Sequence, residues 1–205
     1  MLLPNEFARI VGSLPRRSVI HVGAHFAEEA SYYHQVGAEV LWVEANPDLC
    51  QQITARINRF PNQRLAMALL SDAADQEIDF NVANNTHCSS ILPLKDHAEI
   101  YPDFKYVGKV RLKTTTLDAI SALLPQANIL NLDVQGAEGL VLAGGQQILE
   151  QVDVIYTEIN FREMYEGCPL AITLDAIMAS HGFFRELTID TDKGWGDAIY
   201  TKGAK

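Results

Sequence analysis

Residues 18–46, SVIHVGAHFAEEASYYHQVGAEVLWVEAN, carry the pattern that decides the fold. A short apolar strand, Val19-Ile20-His21-Val22, runs into a turn at Gly23-Ala24-His25. A helix over 27–36 follows, Gly37 ends it, and a second apolar strand over 40–43 leads to Glu44. Strand, tight turn, helix and parallel strand tipped by an acid make the opening unit of a nucleotide-binding α/β sheet. Glu44 stands at about the twenty-residue spacing from the turn at which an acid meets ribose hydroxyls.

Working outward, residues 5–12 form a short amphipathic helix with Phe7, Ile10 and Val11 on one face. Asn46-Pro47 reads as cap and first position of a helix reaching Arg59. Residues 63–70 are a third strand ending at Ser71-Asp72, and 77–81 and 110–114 alternate as strands with one wet face. Thr115 or Thr116 caps a helix to Leu124, with Asp118 in its first turn as a structural acid. A strand over 128–133 ends in Asp133, the turn Gln135-Gly136 opens a helix over 137–143, and a further strand over 152–158 ends in Glu158. After a helix over 170–180, strands over 183–189 and 195–201 close as a hairpin. The expected fold is therefore a single α/β domain over 1–205, a doubly wound Rossmann-like sheet with an antiparallel C-terminal edge hairpin. Residues 82–108 break the periodicity and read as a lid or substrate loop.

Composition bounds the function. The formal net charge of −10 argues against a broad nucleic-acid footprint. No apolar run approaches the length of a membrane span. Three separated cysteines, Cys50, Cys88 and Cys168, give neither a disulfide framework nor a metal spacing, which favours the cytoplasm. No metal site is expected, and the oligomeric state is left open.

The glycine pattern selects the nucleotide. Dinucleotide sites need a second and third glycine for the pyrophosphate, and here Gly23 is followed by Ala24-His25-Phe26-Ala27-Glu28-Glu29. Two carboxylates at a helix start repel phosphate oxygens. Acids at the ends of successive strands, Glu44, Asp72, Asp133 and Glu158, suit a cationic adenosine. S-adenosyl-L-methionine has ribose hydroxyls, an adenine amino group, an ammonium and a sulfonium.

The runs HVGAHFAEEASYY, WVEANP, LSDAAD, TTTLDAI and NLDVQGAEGLVLAGG resemble the successive motifs of the FkbM family of S-adenosylmethionine-dependent methyltransferases, a class I methyltransferase fold, over about Val19 to Asn160. The resemblance implies that Gly23 and Ala24, flanked by Val22 and His25, shape the turn under the methionine moiety. It implies that Glu44 takes the ribose hydroxyls, that Ala45 and Asn46 lie beside the adenosine, and that Ser71-Asp72 meets the adenine amino group. Asp133 then lies near the methyl-transfer point, and the family implies O-methylation of a hydroxyl on a sugar or other small molecule. Two positions depart from the family pattern: Ala27 stands where glycine is common, and Gln135 replaces an acid.

A hydroxyl acceptor needs a base, and Asp133, Glu158 and His87 are the candidates. Each has a plainer reading. Glu158 ends a strand, His87 lies in the irregular segment, Asp72 suits a local turn, Glu138 offsets a helix dipole, and His25 serves equally as a structural histidine. A nicotinamide-dependent oxidoreductase and a non-catalytic cofactor-binding module are the rival functions.

Overall fold

The opening strand pair seeds the sheet, and each later parallel strand joins it through a helical crossover. The computed structural model describes residues 5–203; residues 1–4 and 204–205, the ends of the expected domain, lie outside the described residues. The first half contains α1 (Asn5–Ser13), β1 (Ser18–Val22), α2 (Ala30–Gln35), β2 (Glu39–Glu44), α3 (Pro47–Ile57), β3 (Gln63–Met67), β4 (Leu69–Leu70), β5 (Glu77–Ala83), α4 (Asp96–Ile100) and β6 (Tyr106–Thr115). The second contains α5 (Leu117–Ser121), β7 (Ile129–Leu132), α6 (Glu138–Ala143), α7 (Ile148–Gln151), β8 (Val154–Asn160), α8 (Ala171–Ser180), β9 (Phe183–Asp190) and β10 (Trp195–Lys202).

A seven-stranded sheet runs β3-β2-β1-β7-β8-β10-β9. The pairs from β3 to β8 are parallel, and β10 is antiparallel to both of its neighbours. The C-terminal hairpin lies at the edge as expected, with β10 inserted between β8 and β9. Strand order reverses beside β1, so the crevice outside the carboxyl ends of β1, β2 and β7 is where ligands bind in such sheets.

Alternation along the strands separates two cores. Val19, Val40, Trp42, Ile129 and Val154 face Phe7 and Val11 of α1, Tyr33 of α2 and Ile53 of α3. Ile20, Leu41, Leu130, Leu132 and Ile155 face Leu117 of α5, Val141 of α6, Leu149 of α7 and Leu174 of α8. Burial on both faces is why these parallel strands read as apolar runs. Capping follows composition: Asn46 accepts from Asp48 N at 3.0 Å, and Thr116 from Ala119 N at 3.2 Å. Asp118 is structural, accepting from Gln147 N at 3.0 Å and Ile148 N at 2.9 Å where α7 begins.

Three expectations are corrected. The helix expected over 27–36 begins only at Ala30, because His25 (φ 46°) and Ala27 (φ 52°) are left-handed and cannot sit in a right-handed helix. The strand expected over 63–70 is two strands. Ala68 N donates to Glu44 O at 2.9 Å, and β4 then leaves for a second, three-stranded sheet of order β4-β6-β5. The irregular segment is shorter than 82–108, since β5 and β6 pair from Glu77↔Lys113 to Ala83↔Tyr106. Its middle holds a 3-10 turn over Thr86–Cys88 and α4.

Candidate active site

The turn after β1 is fixed by contact. Gly23 has φ 82°, and a Cβ there would lie 1.8 Å from Asp133 O, so no other residue fits without opening β1 from β7. Gly23 N and Ala24 N both donate to Val43 O, at 2.9 and 3.1 Å. Glu44, 6% exposed, braces the next two loops. Its Oε2 accepts from His25 N at 2.9 Å and its Oε1 from Asn46 N at 2.8 Å. Burial pushes its pKa above the usual carboxylate range, against the pull of those backbone donors.

Two cavities open at the carboxyl ends of the strands. The narrower, about 70 Å³, is lined by Val22, Gly23, His25, Glu44, Ala45 and Asn46, all expected from sequence, and by apolar Leu49, Leu70 and Phe80. The wider, about 350 Å³, is lined by His87, Asp133 and Glu158, and walled by Tyr101, Phe104, Tyr165 and Trp195. His87, Asp133 and Gln135 line both and form the partition between them. Ala24 lines a third recess of about 20 Å³ with His21, Glu28 and Glu29.

Ser71 and Asp72 are not brought to these cavities. Ser71 is buried and donates to Asp72 Oδ1 at 3.0 Å, while Asp72 is exposed. β4 itself still lines the narrow cavity through Leu69 and Leu70, and Ser71-Asp72 follow directly after it.

The acids at the partition are held by amide and backbone donors. Gln135 Nε2 donates to Asp133 Oδ1 at 2.6 Å and to Glu158 Oε2 at 3.0 Å, and Tyr165 Oη donates to Gln135 Oε1 at 2.6 Å. Burial raises the pKa of Asp133. Burial, then Asp133, Glu138 and Asp197, raise that of Glu158 well above the carboxylate range. Glu138 accepts from Val134 N at 3.1 Å and Gly136 N at 3.2 Å, so it holds the turn after β7. Burial pushes Glu138 and Asp197 each up to about 7.

His25 is tied on both sides, to Glu28 Oε1 through Nδ1 and to Thr86 Oγ1 through Nε2, each at 2.9 Å. The His87 ring stacks on it with centroids 3.5 Å apart and planes at 30°. Partial burial lowers the His87 pKa, with His25 adding to the effect. Donor atoms of His25, Glu28 and His87 lie within 4.8 Å of one another.

The sequence reading placed His87, Asp133, Glu158 and the 82–108 segment at the site and missed the wall formed by Met164, Tyr165 and Trp195. Tyr165 comes from the loop after β8 and Trp195 from the start of β10. Residues 161–169 follow the carboxyl end of a central parallel strand, and that position is the signal that could have flagged Tyr165.

Comparison with known proteins adds the following. The model of the FkbM methyltransferase domain matches residues 21–184. The chain is 28% identical over 175 residues to 2-O-methyltransferase NoeI of Sinorhizobium fredii (strain NBRC 101917 / NGR234), covering 80% of this chain and 72% of that protein. In fold it resembles magnesium protoporphyrin IX methyltransferase from Synechocystis PCC 6803 with bound S-adenosylmethionine. The TM-score is 0.54 at 12% identity, over 97% of this chain and 76% of that one. It also resembles the methyltransferase domain of bacterial CtHen1-C, with TM-score 0.53 at 11% identity over 98% and 96% of the two chains.

Proposed function

The chain belongs to the FkbM methyltransferase family, and on that premise we propose that it methylates a hydroxyl oxygen of an uncharged small molecule, such as a sugar, held in the wider cavity. It is an S-adenosylmethionine-dependent methyltransferase with a Rossmann-like fold, which sets aside the nicotinamide alternative. The observation that carries the acceptor reading is the partition: the two cavities meet at His87, Asp133 and Gln135.

The residues of the narrow cavity fit the cofactor. Each Glu44 oxygen is oriented by one backbone N–H and keeps acceptor capacity for a ribose hydroxyl. Leu49, Leu70 and Phe80 offer apolar surface to the adenine ring, and Asp133 offers negative charge beside the sulfonium. Bound there, S-adenosylmethionine supplies an electrophilic methyl group on a positively charged sulfur.

On the acceptor side, aromatic walls suit the face of a neutral ring, and the paired acids repel an anion. O-methylation is favoured by the name of the relative, a 2-O-methyltransferase. We assign the base to Glu158, whose raised proton affinity suits it to a hydroxyl better than an ordinary carboxylate. With S-adenosylmethionine bound, Glu158 would take the proton of the acceptor hydroxyl as that oxygen receives the methyl group. Asp133 stays on the cofactor side, and residues 84–105, carrying His87, Tyr101 and Phe104, act as a lid over both ligands. No described helix is long and apolar enough to cross a membrane. The free thiols of Cys50, Cys88 and Cys168 favour a cytoplasmic place of action.

The test supplies methyl-labelled S-adenosylmethionine with neutral sugars, sugar phosphates, uronic acids and RNA. The expected result is alkali-stable label, an ether, on neutral hydroxylated acceptors. Label confined to RNA, to nitrogen or to an alkali-labile ester overturns the acceptor reading. Binding of the cofactor with no transfer to any acceptor favours the non-catalytic module instead.

A further inference from the structure

We infer that Gln135, locked by Tyr165, is a positioning residue that determines which oxygens of Asp133 and Glu158 face the reacting groups. The inference rests on the methyl-transfer reading of the same cavity.

The backbone places this side chain deliberately. Gln135 has φ 54° and is followed by Gly136 at φ 93°, a left-handed pair at the end of β7. A non-glycine residue persists there only where its surroundings over-determine it. Ser90 Oγ donates to the Gln135 backbone carbonyl at 2.7 Å, and every polar atom of the side chain is also engaged. The amide nitrogen spends both hydrogens on carboxylates from two adjacent strands. Tyr165 Oη fixes the orientation, because a flipped amide would turn its oxygen toward both acids.

This consumes Asp133 Oδ1 and Glu158 Oε2. Their other oxygens, Asp133 Oδ2 and Glu158 Oε1, are not held by Gln135 and accept no hydrogen bond among the described residues. The carboxylates thus enter the reaction already turned, with Glu158 Oε1 left for the acceptor proton. The acid that the family motif carries at this position can donate a hydrogen bond only while protonated, and it can never donate two. The amide holds two neighbouring carboxylates without adding a third negative charge.

Other groups also face the pair. Glu138 on α6 and Asp197 on β10 raise the proton affinity of Glu158. His25 and Glu28 act on Asp133 from the loop after β1. The Cys88 and Tyr165 groups lie beside both acids and stay uncharged at neutral pH. Donation by Gln135 opposes the net upward push on both carboxyls.

The test compares Gln135→Met, which keeps length without hydrogen bonds, with Tyr165→Phe, which leaves the turn untouched. Calorimetry with S-adenosylmethionine, the pH profile of kcat, and ¹³C-carboxyl NMR titration of the cofactor-free protein are read for each. In Gln135→Met, kcat falls about 10- to 100-fold with little change in the cofactor KM. The acid limb of kcat and the slowest-ionising carboxyl signals both move up by about one pH unit. Tyr165→Phe moves them the same way by less. A fall in kcat with unmoved titrations would mean Gln135 only supports the turn, and overturns the inference. Failure of wild type to bind S-adenosylmethionine would instead strike the methyl-transfer reading, while the NMR titration still decides the role of Gln135.

Discussion

Glu44→Gln separates bracing from binding at a single carboxylate. In the native protein the two Glu44 oxygens accept from His25 N at 2.9 Å and Asn46 N at 2.8 Å, in a site only 6% exposed. The amide keeps the shape but turns an NH₂ group toward one backbone donor. One hydrogen bond to a charged acceptor is worth about 1.5–3 kcal/mol. Relief from burying a carboxylate offsets part of that, because burial already raises the Glu44 pKa. A net destabilisation of about 1–2 kcal/mol follows. Binding loses a second quantity. A ribose hydroxyl held by a charged acceptor contributes a further ~1.5–3 kcal/mol, or about 10- to 100-fold in Kd. Calorimetry with S-adenosylhomocysteine measures the Kd, and thermal unfolding without ligand measures the brace. A sharper assay compares adenosine with 2′-deoxyadenosine and 3′-deoxyadenosine. Wild type should discriminate against loss of a ribose hydroxyl, and Glu44→Gln should discriminate much less. A variant with lowered Tm but Kd within about threefold of wild type, and with undiminished ribose discrimination, would refute the ribose role and leave Glu44 a brace alone.

Asp118→Ala removes a side chain that caps α7 through Gln147 N and Ile148 N. It should cost about 1–2 kcal/mol and lower Tm by about 2–8 °C, with the Kd for S-adenosylhomocysteine unchanged. An unchanged Tm would deny the capping role. The pH dependence of stability follows from Glu29, Glu138 and Asp197, each raised to about 7 chiefly by burial. Their unfolded values lie near about 4–4.5. A raised folded pKa gives stability that is complete below the unfolded value and lost as pH rises through the folded one. Tm of the cofactor-free protein should therefore fall between pH 5 and 8, and a rise across that interval would contradict these assignments.

The parts legible in sequence are those carried by one recurrent unit. The Asn46-Pro47 cap depends on its immediate neighbours, the Gly23 turn and the Glu44 spacing belong to the strand–turn–helix–strand unit, and each lies where the pattern puts it. Ser71-Asp72 follow directly on Leu70, the last β4 residue to line the narrow cavity, and their placement has a nonlocal cause. Leu69-Leu70 pair with Thr114-Thr115 of β6, and the apolar run 63–70 carries no sign that it will change sheets at Ala68. The late start of α2 is nonlocal as well, because Glu44 grips His25 N from nineteen residues away. The Ala27 departure acquires a cause there. At φ 52° this position favours glycine, and the alanine accepts backbone strain while its methyl packs fully buried among the α1–α3 core.

Gln135 shows why a departure from a motif cannot be scored by charge alone. From sequence it is an acid lost, which puts any step needing that acid in doubt. In the fold it stands between Asp133 and Glu158 with Tyr165 behind it, and a carboxylate there would add repulsion to a cluster that already includes Glu138 and Asp197. The change in formal charge is therefore secondary to the change in hydrogen-bond polarity. An acceptor becomes a double donor, and that lets two neighbouring acids keep one oxygen each for chemistry. The wide cavity was legible only in part. His87, Tyr101, Phe104, Tyr165 and Trp195 come from separate turns and loops. They are assembled by cross-loop pairings such as Leu94 with Tyr165, so no single stretch carries its chemistry.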